Sequence, residues 1–295
     1  MEKIGQELDN VVERYGLENL MAHKKEQLGH QSTELTFIGI ADLAEYWYCA
    51  QKSLYKQLEM EPKFFHAYLY DRVRYSTALG YLKGVPLEEK ALLQAGDEVT
   101  FSDVEKLLKE RAKEMHEYLK ERAKLREKVV RDGRADPRSV IGMAKYIAET
   151  FGDSADTPLG LGRYAELVVA KPYPTIRWNF PYRDFVVIGV PDGITDEFVY
   201  EFKTTSSPYL ILPVARAQAD LYGYFFSRSR KIVDIYSKIN GEIIVEENDV
   251  DKRHAERTLE RATLVYRGAS PVPPKPFKCN KCEYKDKCPI YKSHN

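Results

Sequence analysis

The stretch "GVPDGITDEFVYEFKTTSS", Gly189 to Ser207, follows the apolar run Phe185-Val186-Val187-Ile188, and its reading decides the fold. Short β-branched and aromatic runs broken by Pro191, Asp192, Gly193 and Asp196 predict a hairpin. Side chains alternate across a strand, so Glu201 and Lys203 share one face while Phe202 points to the other, where it can pack into a core. With the turn centred on Thr195, Asp196 and Glu197, Asp192 falls beside residue 200 or 201 of the partner strand, and Gly193 marks a bulge. Two carboxylates so placed can share one hard divalent ion such as Mg²⁺ or Mn²⁺, which makes a bound water acidic enough to act as a nucleophile. Lys203 beside them can orient that water or neutralise charge growing on a phosphate. The alternative is a solvated hairpin with a surface Glu-Lys pair, because short acidic motifs recur by accident.

Outward from the hairpin, strands are expected over 166–170, 175–179, 185–194 and 198–204. A helix follows with Pro213 in its first turn, carrying Gln218 and Tyr222 four residues apart on one face. These two can reach a substrate phosphate or nucleotide, or Tyr222 can simply pack on the sheet. Two more strands, 232–237 and 242–245, and a helix over 250–266 complete the region. Upstream, 1–35 reads as an amphipathic helical extension and 41–58 as a second helix bearing Cys49. A helical insert follows, then a long charged helix opened by a Ser102/Glu105 capping box and ending near Val130, a break at Asp132-Gly133, and a helix over 140–150. The expected organisation is therefore 1–35 extension, 36–159 helical region, 160–268 α/β core and 269–295 cysteine segment, with 35–295 one compact unit.

The four cysteines are Cys49, Cys279, Cys282 and Cys288. Cys279-x-x-Cys282-x5-Cys288 lacks the second CxxC of a common zinc ribbon, so a fourth ligand must come from elsewhere, and Cys49 is the remaining thiol. Four thiolates suit zinc or an iron-sulfur cluster, and the spacing alone leaves both open. Either would staple the two ends of the domain.

The 295 residues carry 45 basic and 45 acidic side chains, so any nucleic-acid partner has to be held by a local patch. One candidate patch is Lys275, Lys278, Lys281, Lys285, Lys287 and Lys292 against Glu283 and Asp286, although lysines also solvate terminal tails. With no apolar run long enough to span a bilayer and no signal-peptide core, the expectation is a cytoplasmic protein without a membrane partner.

Taken together, Ala41-Asp42-Leu43-Ala44-Glu45-Tyr46-Trp47-Tyr48-Cys49, Asp192, Glu201-Phe202-Lys203, Gln218-x3-Tyr222 and the terminal cysteine trio resemble the RecB-like PD-(D/E)xK nucleases with a four-cysteine iron-sulfur cluster, most nearly their CRISPR-associated exonuclease branch. The pieces cover roughly residues 36–55 and 160–292. The resemblance implies a restriction-endonuclease-like core with a mixed central sheet flanked by helices. It also implies a [4Fe-4S] cluster on Cys49, Cys279, Cys282 and Cys288, with zinc as the alternative. Asp192 and Glu201 become ligands of Mg²⁺ or Mn²⁺, Lys203 the catalytic lysine, and Gln218 and Tyr222 contacts to DNA or supports of the site. Family members also supply a histidine ligand after a Gly-x3 setting. The best match here is His116, with Ala112 in the glycine position; His66 is the runner-up. The implied activity is cleavage of DNA, at single-stranded ends, in CRISPR adaptation or DNA repair, with a DNA-binding adaptor as the competing function. The long helical insert could serve as a lid or a surface for a protein partner.

Overall fold

The computed structural model describes residues 36–58, 112–150, 158–175, 178–183, 185–280 and 282–292. The extension over 1–35, His66 and the capping box at Ser102 lie outside them.

β1 (Thr36–Gly39) leads into α1 (Ile40–Ala44), a 3₁₀ turn over Glu45–Trp47, and α2, helical over 50–58. The single helix expected over 41–58 is thus broken at Tyr48-Cys49. Neighbouring aromatics there are held by different parts of the chain. Trp47 Nε1 donates to Thr258 Oγ1 at 2.8 Å, and the Tyr48 carbonyl accepts from Lys278 Nζ at 2.9 Å. Three helices come next, α3 (Ala112–Val129), α4 (Pro137–Thr150) and α5 (Pro158–Val169). The break before α4 is where expected, with Asp132 and Gly133 at φ of 52° and 72°.

The strand expected over 166–170 is instead the end of α5. Its Val-Val-Ala run is strand-prone in isolation, but tertiary packing overrides that preference. Tyr164 and Leu167 bury against Ala144 and Ala148 of α4, while Ala165, Val168 and Val169 face the sheet, as only a helix allows.

β2 (Trp178–Tyr182) and β3 (Phe185–Gly189) form one sheet with β1, in the order β1-β3-β2; β1 runs parallel to β3 and β2 antiparallel. The run expected as one strand over 185–194 does not continue as one. After Gly189 it leaves this sheet, crosses Val190-Pro191-Asp192, and enters a second sheet as β4 (Gly193–Ile194). That sheet has the order β4-β5-β6-β7, with β5 (Phe198–Thr205), β6 (Arg230–Ser237) and β7 (Ile243–Asp249); β5 and β6 are parallel and joined by α6 (Pro208–Phe225). Pro208, not Pro213, occupies the first turn of α6, and Pro213 lies inside the helix. α7 (Lys252–Tyr266) is capped by Asp251, whose side chain accepts from the His254 amide.

The two faces of β5 diverge as the alternation requires. Tyr200 and Phe202 pack with Val168, Val169, Ile232 and Tyr236 beneath α5. Val199 faces the opposite core with Leu221, Tyr222, Leu259, Ile38 and Val187. Glu201 and Lys203, two and four residues beyond Val199, share its face, toward α6.

Gly193 pairs regularly with Tyr200, so it marks no bulge. Its role is close approach: a Cβ there would lie 2.5 Å from the Cβ of Tyr173, an atom too near the backbone to swing away. Gly193→Ala is expected to cost about 1–3 kcal/mol in denaturant unfolding; an unchanged midpoint would show that the Tyr173 segment yields.

Candidate metal centre and cysteine site

The β4–β5 pairing matches Gly193 with Tyr200 and Ile194 with Val199, so one further step sets Asp192 across from Glu201. Thr195 N bonds Phe198 O at 2.9 Å and closes a two-residue turn over Asp196 and Glu197. Arg228 anchors that turn through Nε to Thr195 O at 2.6 Å. Asp192 does not continue the ladder: its Oδ2 accepts the Phe202 amide at 2.9 Å, which fixes the carboxylate beside β5.

Glu201 is fully buried. Its Oε1 accepts Lys203 Nζ, whereas Oε2 has no hydrogen-bond partner among the described residues. Burial pushes the Glu201 carboxyl up to about 8; Lys203 opposes the shift, and Asp192 and Glu166 add to it. Burial alone would lower the Lys203 amine, but the Glu201 and Asp192 carboxylates outweigh it and hold the ammonium above the ordinary lysine range. A buried carboxylate oxygen without a donor is costly, and a cation is the group that would offset it.

Gln218 and Tyr222 are brought to this place from α6. Both are buried, at 6% and 3% exposure, so neither stands free on a surface. Gln218 Nε2 donates to Tyr222 Oη at 3.2 Å, and Tyr222 Oη donates to Val190 O at 2.8 Å. Burial raises the Tyr222 phenol well above its usual range, with the charges of Glu201 and Asp192 adding to the effect, so the hydroxyl keeps its proton.

Sequence reading missed Glu166, which it placed on a strand. On α5 its charge reaches both Glu201 and Lys203. The helical spacing of Tyr164, Ala165, Leu167 and Val168 was the available signal, and the strand preference of Val168-Val169 masked it. His116 lies exposed on α3.

The four thiols come together from the two ends of the described chain. Cys49 follows the 3₁₀ turn, Cys279 ends α8 (Pro276–Cys279), and Cys288 precedes α9 (Pro289–Lys292). All four line one cavity with Tyr48, Tyr55, Tyr284 and Tyr291. The Lys52 amide lies 3.5 Å from Cys49 Sγ, within the range of an N–H···S contact. Lys278 Nζ to Tyr48 O, Tyr48 Oη to Lys278 O and Tyr55 Oη to Lys287 O tie the segments across more than 200 residues. Burial raises the Cys49 and Cys279 thiols. Among the described residues, no three His, Cys, Asp or Glu side chains are grouped to hold one metal ion, and no helix is long and apolar enough to cross a membrane.

No family model matches the chain, and no curated protein matches it. Three chains of solved structures do. One, the crystal structure of SSO0001, has a TM-score of 0.38 and 14% identity over 93% of this chain and 96% of that one. A likeness of that size carries no conclusion about fold or activity.

The Glu201 shift sets a pH dependence. A folded-state pKa raised above the unfolded value gives stability that is complete below the unfolded value, near 4.5, and is lost as pH rises through about 8. Without divalent ions the protein should therefore weaken between about pH 5 and about pH 9, and Glu201→Gln should remove part of that slope. Denaturant unfolding across this range checks it; identical slopes for the two proteins would show that Glu201 titrates as an ordinary carboxyl.

Proposed function

We propose that the protein is a metal-dependent DNA nuclease of the PD-(D/E)xK type carrying a four-cysteine iron-sulfur cluster. The observation that carries this reading is the opposition of Asp192 and Glu201 across the β4–β5 hairpin, with one buried Glu201 oxygen lacking a donor among the described residues and the Lys203 ammonium beside it. The mixed sheet, with β5 and β6 parallel through α6 and helices on both sides, is compatible with a restriction-endonuclease-like core.

Asp192 and Glu201 would hold Mg²⁺ or Mn²⁺, with water and phosphate oxygens completing the shell, as these ions accept when only one or two carboxylates are offered. A bound ion of this kind supplies Lewis acidity to a phosphodiester and lowers the pKa of water. Lys203, kept protonated by its neighbours, stabilises negative charge developing on the phosphate. Glu166 adds negative potential from α5, which favours cation binding. His116 enters the reading only through the resemblance.

The preference for a cluster over a single zinc rests on the resemblance to the iron-sulfur nucleases. A tetrahedral zinc needs four sulfurs about 2.3 Å from one point. Here the four thiols line one cavity, and four thiolates suit either centre. The ligands would be Cys49, Cys279, Cys282 and Cys288. Bonds across 230 residues would restrict the unfolded chain, so the role assigned is structural.

Asp192→Ala and Lys203→Ala are expected to lower Mn²⁺-dependent degradation of labelled single-stranded DNA by about 100-fold or more. Equal degradation by both variants and the parent would reject the centre. Binding of that DNA by the parent without any cleavage would mark the protein as an adaptor. Independently, anaerobically prepared protein should show iron-sulfur visible absorption, and Cys282→Ala should lose it together with thermal stability. A colourless protein with one tightly bound zinc would replace the cluster by the simpler metal.

A further inference from the structure

Between the two sheets the chain runs through Val190, Pro191 and Asp192 with none of them in a strand. Backbone groups buried outside a ladder need other partners, and here side chains from separate elements supply them. Tyr222 Oη donates to Val190 O from α6. The hydroxyl of Thr175 donates to Pro191 O from the loop before β2. One residue earlier in that loop, Pro174 O accepts the Ile194 amide at 2.8 Å. Thr175 is fully buried.

We propose that Thr175 is a positioning residue for the metal centre: its hydroxyl fixes the Pro191 carbonyl and thereby holds the Asp192 carboxylate across from Glu201. This inference rests on the cation site proposed above. The peptide plane that contains Pro191 O also contains the Asp192 nitrogen, so rotating that plane turns the Asp192 side chain away from β5. Asp192 Oδ2 accepts the Phe202 amide, and the backbone held by Thr175 sets the direction from which that carboxylate reaches β5. Thr175 and Tyr222 hold consecutive carbonyls from two sides. Arg228 holds Thr195 O beyond β4, so the acidic hairpin is pinned both before and after its short strand. The loop carrying Thr175 is in turn fixed by Tyr173, which packs against Phe198 and Tyr200 with ring centroids 5.1 Å away in each case.

The test is Mn²⁺ binding, followed by the loss of the free-ion electron paramagnetic resonance signal on titration. The parent, Asp192→Ala, Thr175→Val, Thr175→Ala and Thr175→Ser are compared, each with its folding checked by near-ultraviolet circular dichroism. Thr175→Val keeps the shape and removes the donor; it is expected to weaken binding about 10–100-fold, as loss of a partner that orients a metal ligand does. Thr175→Ala should weaken it to the same extent, and Thr175→Ser, which retains the hydroxyl, should restore it to within about threefold. Parent-like affinity in folded Thr175→Val or Thr175→Ala overturns the positioning role and leaves the metal centre standing. Equal weakening in Thr175→Ser overturns it too, since lost packing would then be the cause. No Asp192-dependent binding in the parent rejects the metal centre itself, and the positioning role with it.

Discussion

Glu201 is a carboxylate in the middle of β5, paired with Val233 of β6 on one side, facing Asp192 on the other, and covered by α6. One of its oxygens is satisfied by Lys203, and the other has no hydrogen-bond partner among the described residues. Burial of such a group is among the more expensive choices a fold can make, and it is tolerated when a charge or a bound ion compensates. The surrounding architecture is arranged about this constraint. Val199 and Phe202 bury the strand on its two faces, the β4 hairpin brings Asp192 alongside, and α6 covers the face with Gln218 and Tyr222.

α6 is itself held by a second buried polar cluster. Asp220, 1% exposed, accepts from Lys231 of β6 at 2.5 Å and from the Asp251 amide at 2.8 Å, and its other oxygen lies 2.8 Å from His254 Nδ1 of α7. Three partners satisfy one carboxylate, so unlike Glu201 it leaves no demand for an ion. Trp47 packs on the His254 ring with centroids 4.7 Å apart, which seats the segment ending in Cys49 on the same cluster. The cysteine site and the acidic hairpin therefore share a rigid support through α6 and α7, with no direct contact needed between them.

Much of the hairpin was legible in advance because strand geometry is a local rule. A period of two puts Glu201 and Lys203 on one face and Phe202 on the other wherever the strand is placed, and Asp196-Glu197 closes a turn with few registers available. The C-terminal cysteines were legible as a group for a similar reason, since the spacing is short. The end of α5 was not: Val168 and Val169 suit a strand in isolation, and only the packing of Tyr164 and Leu167 on α4 made that run helical. Glu166 was lost to the site with it. The break at Tyr48 was also hidden, because the residues that hold it, Thr258 and Lys278, lie more than 200 positions away.

By itself, then, the sequence determined which side chains share a strand face, that two acids and a lysine meet at one hairpin, and that three cysteines lie within one short segment. Those are consequences of bond geometry over a few residues. Only the tertiary structure decided that the apolar run before the hairpin splits between two sheets, that Gln218 and Tyr222 are buried supports bonded to one another, and that Thr175 reaches the crossover. It also decided that Cys49 faces the other thiols. Each of these depends on which distant surfaces exclude water from one another, and that is a property of the packed whole that no local window contains.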